Sequence, residues 1–593
     1  MAIKEIVNFV PVSYHNYTLM KQHKLILIGS ISILLFIIAA GVAAYFWIID
    51  KYGLNGSGAD LVNTAVQLKN LDEKELAKYN PASQRAVDVL AYNLKINLYP
   101  EEKKIAGDEL IILKVNDKKL PSIEINFYDN MKIKKLLLNG EEVKYSRSEK
   151  VLKITRQDLN ADSARVNIIY EGTPVSAGLG SFNFIKINNR YQVYTLSEPV
   201  FASTWFPCVD LPDDKALAEI WITNDTSKVS MSNGKLIDVK TSGGRRTYHW
   251  KTFYPISTYL IALYSGDYKT FADKYVTAGK DTLSLSYYVL PDKLEDAKKD
   301  FSDHKKYLKT FEELFGEYPF VKEKYSVAEF WWNAGAMEHQ TITGIGSDYI
   351  SGKKFFSDML IHELAHHWWG DAVGLKSWKD IWLNEGFATY SEALYWEKQS
   401  DIRALQSTMS SKFGSFLKGK LYNPGDALFG SLVYNKGAWV LHMLRREVGD
   451  ENFFAILRQY FKQYKYGNAS TADFKSVCEK ISEKNLSYFF NQWVYNGEGI
   501  IEAEAGWSVK NADKKFLTTI TIKQLQNGYD IYKFPLDIKL FSQKSGQSIV
   551  SKVRIEGKEV VLNLESEFKP DGVQIDPDGW LLAKFNVNEE NIK

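Results

Sequence analysis

The sequence predicts an α+β multidomain chain, and three observations predict it. Residues 85–270 alternate apolar with polar side chains, as in Tyr92, Leu94, Ile96 and Leu98, or Ile123, Ile125 and Phe127. From Asp292 to about Asn496 the apolar positions recur at helical spacing, interrupted by a strand at Tyr325 to Phe330 and another at Gly335 to His339. After Glu502 the alternation returns, in Phe516 to Ile522, Phe534 to Phe541, Ile549 to Ile555 and Val560 to Leu564, with a turn at Asp578-Gly579. These patterns divide the chain into a strand-rich part (85–270), a mainly helical part (271–500) and a second strand-rich part (501–593). A chain of 593 residues with 45% hydrophobic content can bury several cores. No internal repeat is visible.

The first 84 residues are of another kind. Leu25 to Ile49 is a run of 25 residues without a charge, long enough to span a bilayer as one transmembrane helix. Lys21 and Lys24 precede it and Asp50 follows, which predicts residues 1–24 in the cytoplasm and everything after the span outside it, a single-pass protein of the cell membrane. Tyr45, Phe46 and Trp47 suit an interfacial belt. A cleaved signal peptide would use Ala43 and Ala44, but the apolar run is too long for one and continues past them. Residues 50–84 read as a linker, beginning with Asn55-Gly56-Ser57-Gly58. A net charge of +2 gives no reason to expect nucleic-acid binding. Cys208 and Cys478, 270 residues apart, read as two isolated thiols.

The helical part carries the chemistry. His362-Glu363-Leu364-Ala365-His366 puts two imidazoles one helical turn apart on one face, and Glu385 follows after eighteen intervening residues in Trp382-Leu383-Asn384-Glu385-Gly386. Two histidines and a carboxylate hold one zinc ion and leave a fourth position open for water. Glu363, beside the first histidine, is placed to act as general base without ligating. Phe356, Met359 and Leu360 before the motif, and Ala365, Trp368 and Trp369 in and after it, make this a buried helix, which Gly370 ends. A second helix is expected from near Asn384, carrying Glu385, Phe387, Ala388 and Leu394.

Four motifs in this order resemble the gluzincin aminopeptidase family, which includes aminopeptidase N and the leukotriene hydrolase. They are Gly335-Ala336-Met337-Glu338-His339, the run from His362 to Asp371, that from Trp382 to Tyr390, and Tyr434-Asn435-Lys436-Gly437-Ala438. The resemblance covers roughly residues 85 to 590. It implies an N-terminal β-saddle, a thermolysin-like catalytic domain and a C-terminal β-sandwich. Many members add a large helical domain, for which this sequence leaves no room, so a more open cleft is expected.

The resemblance also implies the roles. The reaction is hydrolysis of the N-terminal peptide bond by a zinc-activated water, with Glu363 as base, and the substrates are peptides. Tyr434 matches the tyrosine that donates to the oxyanion. Glu338 matches a glutamate that binds the substrate's free α-amino group, alongside Gly335, Ala336 and Met337. Glu198, in Leu196-Ser197-Glu198-Pro199, matches a second such carboxylate. The flanks depart from the pattern: Leu196 stands where many members have Gln, and Ser203 where they have Arg. His339 stands where many have Asn, which leaves fine substrate positioning open. His367 points off the ligand face and reads as structural or as a support behind the ligands, while Asp371, Asp380 and Glu392 are candidates to orient the ligands. Two other readings stay in view. A silent peptide-binding protein would have lost a ligand, the base or the tyrosine, and none is lost. An endopeptidase would not need Glu338 or Glu198. Oligomeric state is not legible.

Overall fold

The computed structural model describes residues 82–156, 161–414, 417–425 and 428–589. All of them lie in one compact unit, 67–593. The Leu25 to Ile49 span lies outside the described residues; among these, no helix is long and apolar enough to cross a membrane.

The first part is built on an eight-stranded sheet in the order Lys235–Ser242, Arg245–Lys251, Leu217–Asp225, Val87–Tyr99, Lys104–Val115, Ser163–Gly172, Met131–Leu138, Glu141–Glu142. Val87–Tyr99 runs antiparallel to Lys104–Val115 and parallel to Leu217–Asp225. Alternate residues of Lys104–Val115 are buried, as expected of a sheet packed mainly on one face. A smaller sheet follows, Val229–Ser232, Leu263–Gly266, Arg190–Thr195, Phe182–Ile187. Its strand Arg190–Thr195 runs directly into the segment carrying Glu198.

The middle part starts with a five-stranded sheet: Lys269–Val276, Thr282–Val289, Tyr325–Phe330, Ile342–Gly346 and, at the edge, Ala336–Met337. Tyr325–Phe330 is buried along its whole length between two parallel neighbours. The helices of this part are α1 (Leu294–Asp300), α2 (His304–Phe315), α3 (Ser357–Ala365), α4 (Trp382–Gln399), α5 (Ile402–Ser411), α6 (Gly437–Val448), α7 (Asp450–Tyr464), α8 (Thr471–Ser482) and α9 (Ser487–Phe490). The regular part of α3 ends at Ala365; turns carry the chain on to Gly370, whose φ of +133° is where glycine is favoured. α4 begins at Trp382, two residues before the expected Asn384, and is buried from Trp382 to Tyr395. It is the central helix of this part, and its burial takes in Asn384, Glu385, Thr389, Ser391 and Glu392 along with its apolar side chains.

One contact fixes the geometry of the middle part. Gly386 of α4 and Gly437 of α6 meet backbone to backbone: a Cβ on Gly386 would lie 2.9 Å from Gly437 Cα, and one on Gly437 2.8 Å from Gly386 Cα. Only glycine at both positions lets the helices cross this closely. Glu385 and Tyr434, beside these glycines in sequence, are thereby brought into one cleft. The last part is strand again, in sheets ordered Glu559–Ser566, Lys515–Gln524, Ile501–Ala512, Ala583–Glu589 and Ser548–Ile555, Phe534–Phe541, Gly572–Ile575.

Candidate active site

α3 carries His362, His366 caps its C-terminal end one turn on and on the same face, and α4 brings Glu385 opposite them. Glu385 Oε2 lies 3.4 Å from the Nε2 of each histidine, and the two Nε2 atoms are 3.0 Å apart. The other ring nitrogens are engaged. His362 Nδ1–H donates to Glu392 Oε1 at 2.9 Å, and His366 Nδ1–H donates to the Trp369 carbonyl at 2.9 Å. Each Nε2 is therefore left with its lone pair facing the other two ligand atoms, which is what a metal centre requires. Glu392 is itself held by Lys412, whose Nζ is 2.7 Å from Oε2.

A second cluster adjoins the first. Carboxylate oxygens of Glu198, Glu338 and Glu385 lie within 4.8 Å of one another, as do the ligand atoms of His362, His366 and Glu385. Glu198, Glu338, Glu363 and Glu385 are all buried. One oxygen each of Glu198, Glu338 and Glu363 has no hydrogen-bond partner in the protein, nor has Glu385 Oε2. Burial pushes the Glu363 carboxyl up to about 8, with Glu338 adding to it against the nearby imidazoles. Burial also raises Glu198, and the Glu338 charge adds to it. Burial opposes ionisation of Glu385, but His366 and His362 outweigh it and hold that carboxyl down to about 2. For the histidines burial favours the neutral ring, yet Glu385 and Glu392 hold His362 up to about 9, and Glu338 and Glu385 raise His366 as well. A buried site that draws protons onto two imidazoles has an excess of negative charge, and a divalent cation on the two Nε2 atoms and Glu385 would satisfy it. The residues fit zinc in donor type and number.

Tyr434 stands at the same mouth. Its ring stacks on His362, centroids 5.8 Å apart and planes at 15°. It sits in a π turn, Leu432–Lys436, that leads into α6. Lys436, next to it, is buried and anchors the turn by donating to the carbonyls of Gly419 (2.6 Å) and Gly497 (2.9 Å).

Gly335, Ala336 and Met337 form the open edge of the five-stranded sheet. Ala336 pairs with Ile345 and Met337 with Gly344, and α3 packs alongside. His339 pairs with Tyr264. It is wholly buried, and its Nδ1 is 2.7 Å from the Tyr264 hydroxyl. Burial pushes its pKa down to about 3, so the ring is neutral. Gly344 makes that pair possible, because a Cβ there would fall 2.3 Å from the Tyr264 hydroxyl oxygen. His367 is structural as expected: Nδ1–H donates to the Glu363 carbonyl at 3.2 Å and Nε2 accepts from Thr341 N–H at 3.1 Å. Asp371 is buried with its nearer oxygen 3.8 Å from His367 Nδ1, and its backbone carbonyl accepts from Lys215 Nζ at 2.6 Å.

Asp380 corrects an expectation. It does not reach the ligands; it accepts from Thr471 N–H (2.8 Å) and Thr471 Oγ1–H (2.7 Å) and so secures the start of α8. Lys412, Tyr264 and Lys215 went unnoticed in the sequence. None of them stands within a motif, and a lone lysine or tyrosine carries no spacing signal.

Residues 300–493 match the profile of the peptidase family M1 domain, and residues 89–260 that of the peptidase M1 N-terminal domain. A curated relative, probable aminopeptidase 2 of Sulfurisphaera tokodaii, is 26% identical over 447 residues, 71% of this chain and 55% of that protein. The chain thus spans little more than half the length of that relative. Among solved structures, aminopeptidase A of Legionella pneumophila in complex with aspartic acid superposes with a TM-score of 0.75 at 19% identity, covering 84% of this chain and 60% of that one. An M1 zinc metallopeptidase of Deinococcus radiodurans superposes with a TM-score of 0.61 at 25% identity, covering 69% of this chain and 93% of that one.

Proposed function

The chain belongs to peptidase family M1, and from that premise and the geometry of the cleft we propose that it is a membrane-anchored zinc aminopeptidase. It removes residues singly from the amino end of peptides. The observation that carries this reading is the pair of clusters sharing Glu385: a three-ligand metal centre beside two further buried carboxylates, Glu198 and Glu338. A peptidase that cut internal bonds would have no use for the second cluster.

His362, His366 and Glu385 would hold the zinc, one per chain, and its chemistry would be to polarise the scissile carbonyl and acidify the attacking water. Glu363, with a free oxygen, accepts the water proton and passes it to the leaving amine. Tyr434 donates its hydroxyl hydrogen to the oxyanion of the tetrahedral intermediate. Glu338 and Glu198 accept from the substrate α-ammonium, whose charge offsets theirs. The edge strand Gly335 to Met337 offers backbone groups to an extended peptide, and His339, fixed by Tyr264, shapes the end of that strand. An amine anchor this close to the metal ligands, with oxygens of Glu198 and Glu338 within 4.8 Å of one of Glu385, would set the cut after the first residue.

The division into domains at 85–270, 271–500 and 501–593 belongs to the same reading. So does the anchor: the uncharged run from Leu25 to Ile49 with Lys21 and Lys24 ahead of it supports a catalytic part outside the cytoplasm. The deciding experiment is mass spectrometry of a digested peptide, free and N-acetylated, with wild-type protein and Glu338→Ala. A stepwise N-terminal ladder from the free peptide only, strongly slowed in Glu338→Ala, is expected. Internal fragments, or equal turnover of the acetylated peptide, would overturn the exopeptidase reading.

A further inference from the structure

Resting on the aminopeptidase reading, we propose that Trp332 forms a subsite for an apolar or aromatic third residue of the substrate, the second one after the cut.

The edge strand decides the direction of the peptide. Ala336–Met337 is the last strand of its sheet, bonded on one side to Ile342–Gly346. A peptide lying on its open side with the amino end at Glu338 runs back past Met337, Ala336 and Gly335. Strands advance roughly 3.3 Å per residue, so the third residue of the peptide comes level with Gly335. At that point the protein has no side chain of its own. Gly335 has a φ of +152°, and a Cβ built there would lie 3.7 Å from Cζ3 of the Trp332 indole. Apart from its two chain neighbours, the ring is the side-chain surface nearest to Gly335 on its Cβ side.

The indole is held in place. It is stacked on Phe330, centroids 5.6 Å apart and planes at 20°. The Trp332 N–H donates to the Phe330 carbonyl at 2.8 Å. Its own carbonyl is tucked against Gly346, where a Cβ would fall 2.0 Å from the oxygen. The loop around it is tied by Trp331 N–H donating to Gln192 Oε1 (2.7 Å) and by Tyr349 O–H donating to the Asn333 carbonyl (3.1 Å). Phe330 and Tyr264, nearby, are wholly buried, whereas Trp332 is only half-buried and Ala334 beside it is exposed. A fixed aromatic ring, partly open and placed at the end of a backbone-pairing edge, offers contact area at little cost in ordering. It favours apolar and aromatic residues over glycine and over charged ones.

The test uses the full chain loaded with zinc and the tetrapeptides Leu-Ala-Xaa-Ala, with Phe, Leu, Gly or Asp as Xaa, following release of the first leucine. Wild-type kcat/KM is expected to be about tenfold higher for Phe than for Gly, mostly through KM, with Asp lowest. In Trp332→Ala the Phe-to-Gly ratio should fall toward one, and Trp332→Phe should keep most of it. A wild-type ratio near one, or a ratio that survives in Trp332→Ala, overturns the subsite while leaving the aminopeptidase reading standing. No leucine released from any of the four peptides would bring down the aminopeptidase reading and the subsite with it.

Discussion

Two clusters of polar side chains share the helix α4, through Glu397 at one and Glu385 at the other, and they are built to opposite rules. At the far cluster Arg445 of α6 donates to both oxygens of Glu397 (2.7 and 2.9 Å) and to both of Asp450 (3.0 and 2.9 Å), and its guanidinium also approaches the Trp580 ring at 5.8 Å. His442, one turn earlier on α6, has both ring nitrogens engaged and stacks on Trp580. At the cleft, four buried glutamates gather within reach of one another, and each keeps an oxygen without a hydrogen-bond partner. The far cluster joins α4 and α6 to the Gly579–Trp580 turn of the last strand-rich part. The near one stores unmet charge. A fold tolerates such a collection where a ligand completes it.

The largest effect that tests this contrast is on rate. Glu363→Gln removes the proton acceptor and leaves the three metal ligands. Turnover should fall roughly 100- to 10,000-fold, while zinc content and melting temperature hold, because one of several crowded carboxylates has been neutralised. A variant that melts lower and keeps its rate would put Glu363 with the stabilising cluster instead.

The converse substitution lies at the far cluster. Arg445→Met leaves Glu397 and Asp450 without their shared cation. Removing one partner of a fully buried pair typically costs about 3–5 kcal/mol; since Asp450 is 66% exposed, a loss of about 2–3 kcal/mol is expected here. The urea midpoint measures it. Activity per folded molecule should not change, since Arg445 touches nothing in the cleft.

Lys412 sharpens the comparison, because it is a stabilising kind of contact that serves the cleft. It grips Glu392, which grips His362 Nδ1. Lys412→Met should weaken zinc binding roughly 10- to 100-fold, read by competition with a coloured chelator, and Lys412→Arg should restore most of it. Unchanged affinity in Lys412→Met would mean that Glu392 orients the histidine unaided.

The two clusters also differ in how legible they were. His362, Glu363 and His366 stand in a motif whose spacing is dictated by helix geometry, Glu385 follows on a second helix at the interval such a zinc site needs, and Tyr434 was legible only through the resemblance to the family. The glycines at 386 and 437 were visible within those motifs, but that they touch each other is a property of the helix crossing. Glu198 was harder, since its flanks depart from the pattern, and only the strand Arg190–Thr195 leading into it shows why it arrives beside Glu338. The Lys412–Glu392 and Tyr264–His339 pairs join residues 20 and 75 positions apart, and no periodicity encodes such partners. Asp380 was misassigned for the related reason that proximity in sequence to a motif is not proximity in space. The far cluster was invisible, because Arg445, Glu397 and Asp450 on helix surfaces look the same in sequence whether they face solvent or one another.

The smallest effect concerns pH and separates the two clusters by a histidine that binds no metal. His442 Nδ1 faces the Tyr390 hydroxyl at 3.2 Å, and Nε2–H donates to the Gly579 carbonyl at 3.3 Å. Burial pushes its pKa down to about 3, with Arg445 opposing a second positive charge and the Gly579 carbonyl favouring it. The native state therefore binds fewer protons than the unfolded chain between about pH 3 and 6.5, so stability rises with pH across that window. The His442 contribution is complete above the unfolded value of about 6.5 and is lost as the pH falls below it, by at most about 1.4 kcal/mol per pH unit. His442→Gln keeps an acceptor and a donor in nearly the same volume but does not titrate. Urea unfolding of both proteins at pH 7 and pH 5.5 isolates the term. Wild type should lose about 1.3 kcal/mol more than the variant between these two values. Equal losses would mean that the ring takes up its proton without breaking the Tyr390 contact, and that the far cluster is less tightly closed than its hydrogen bonds imply.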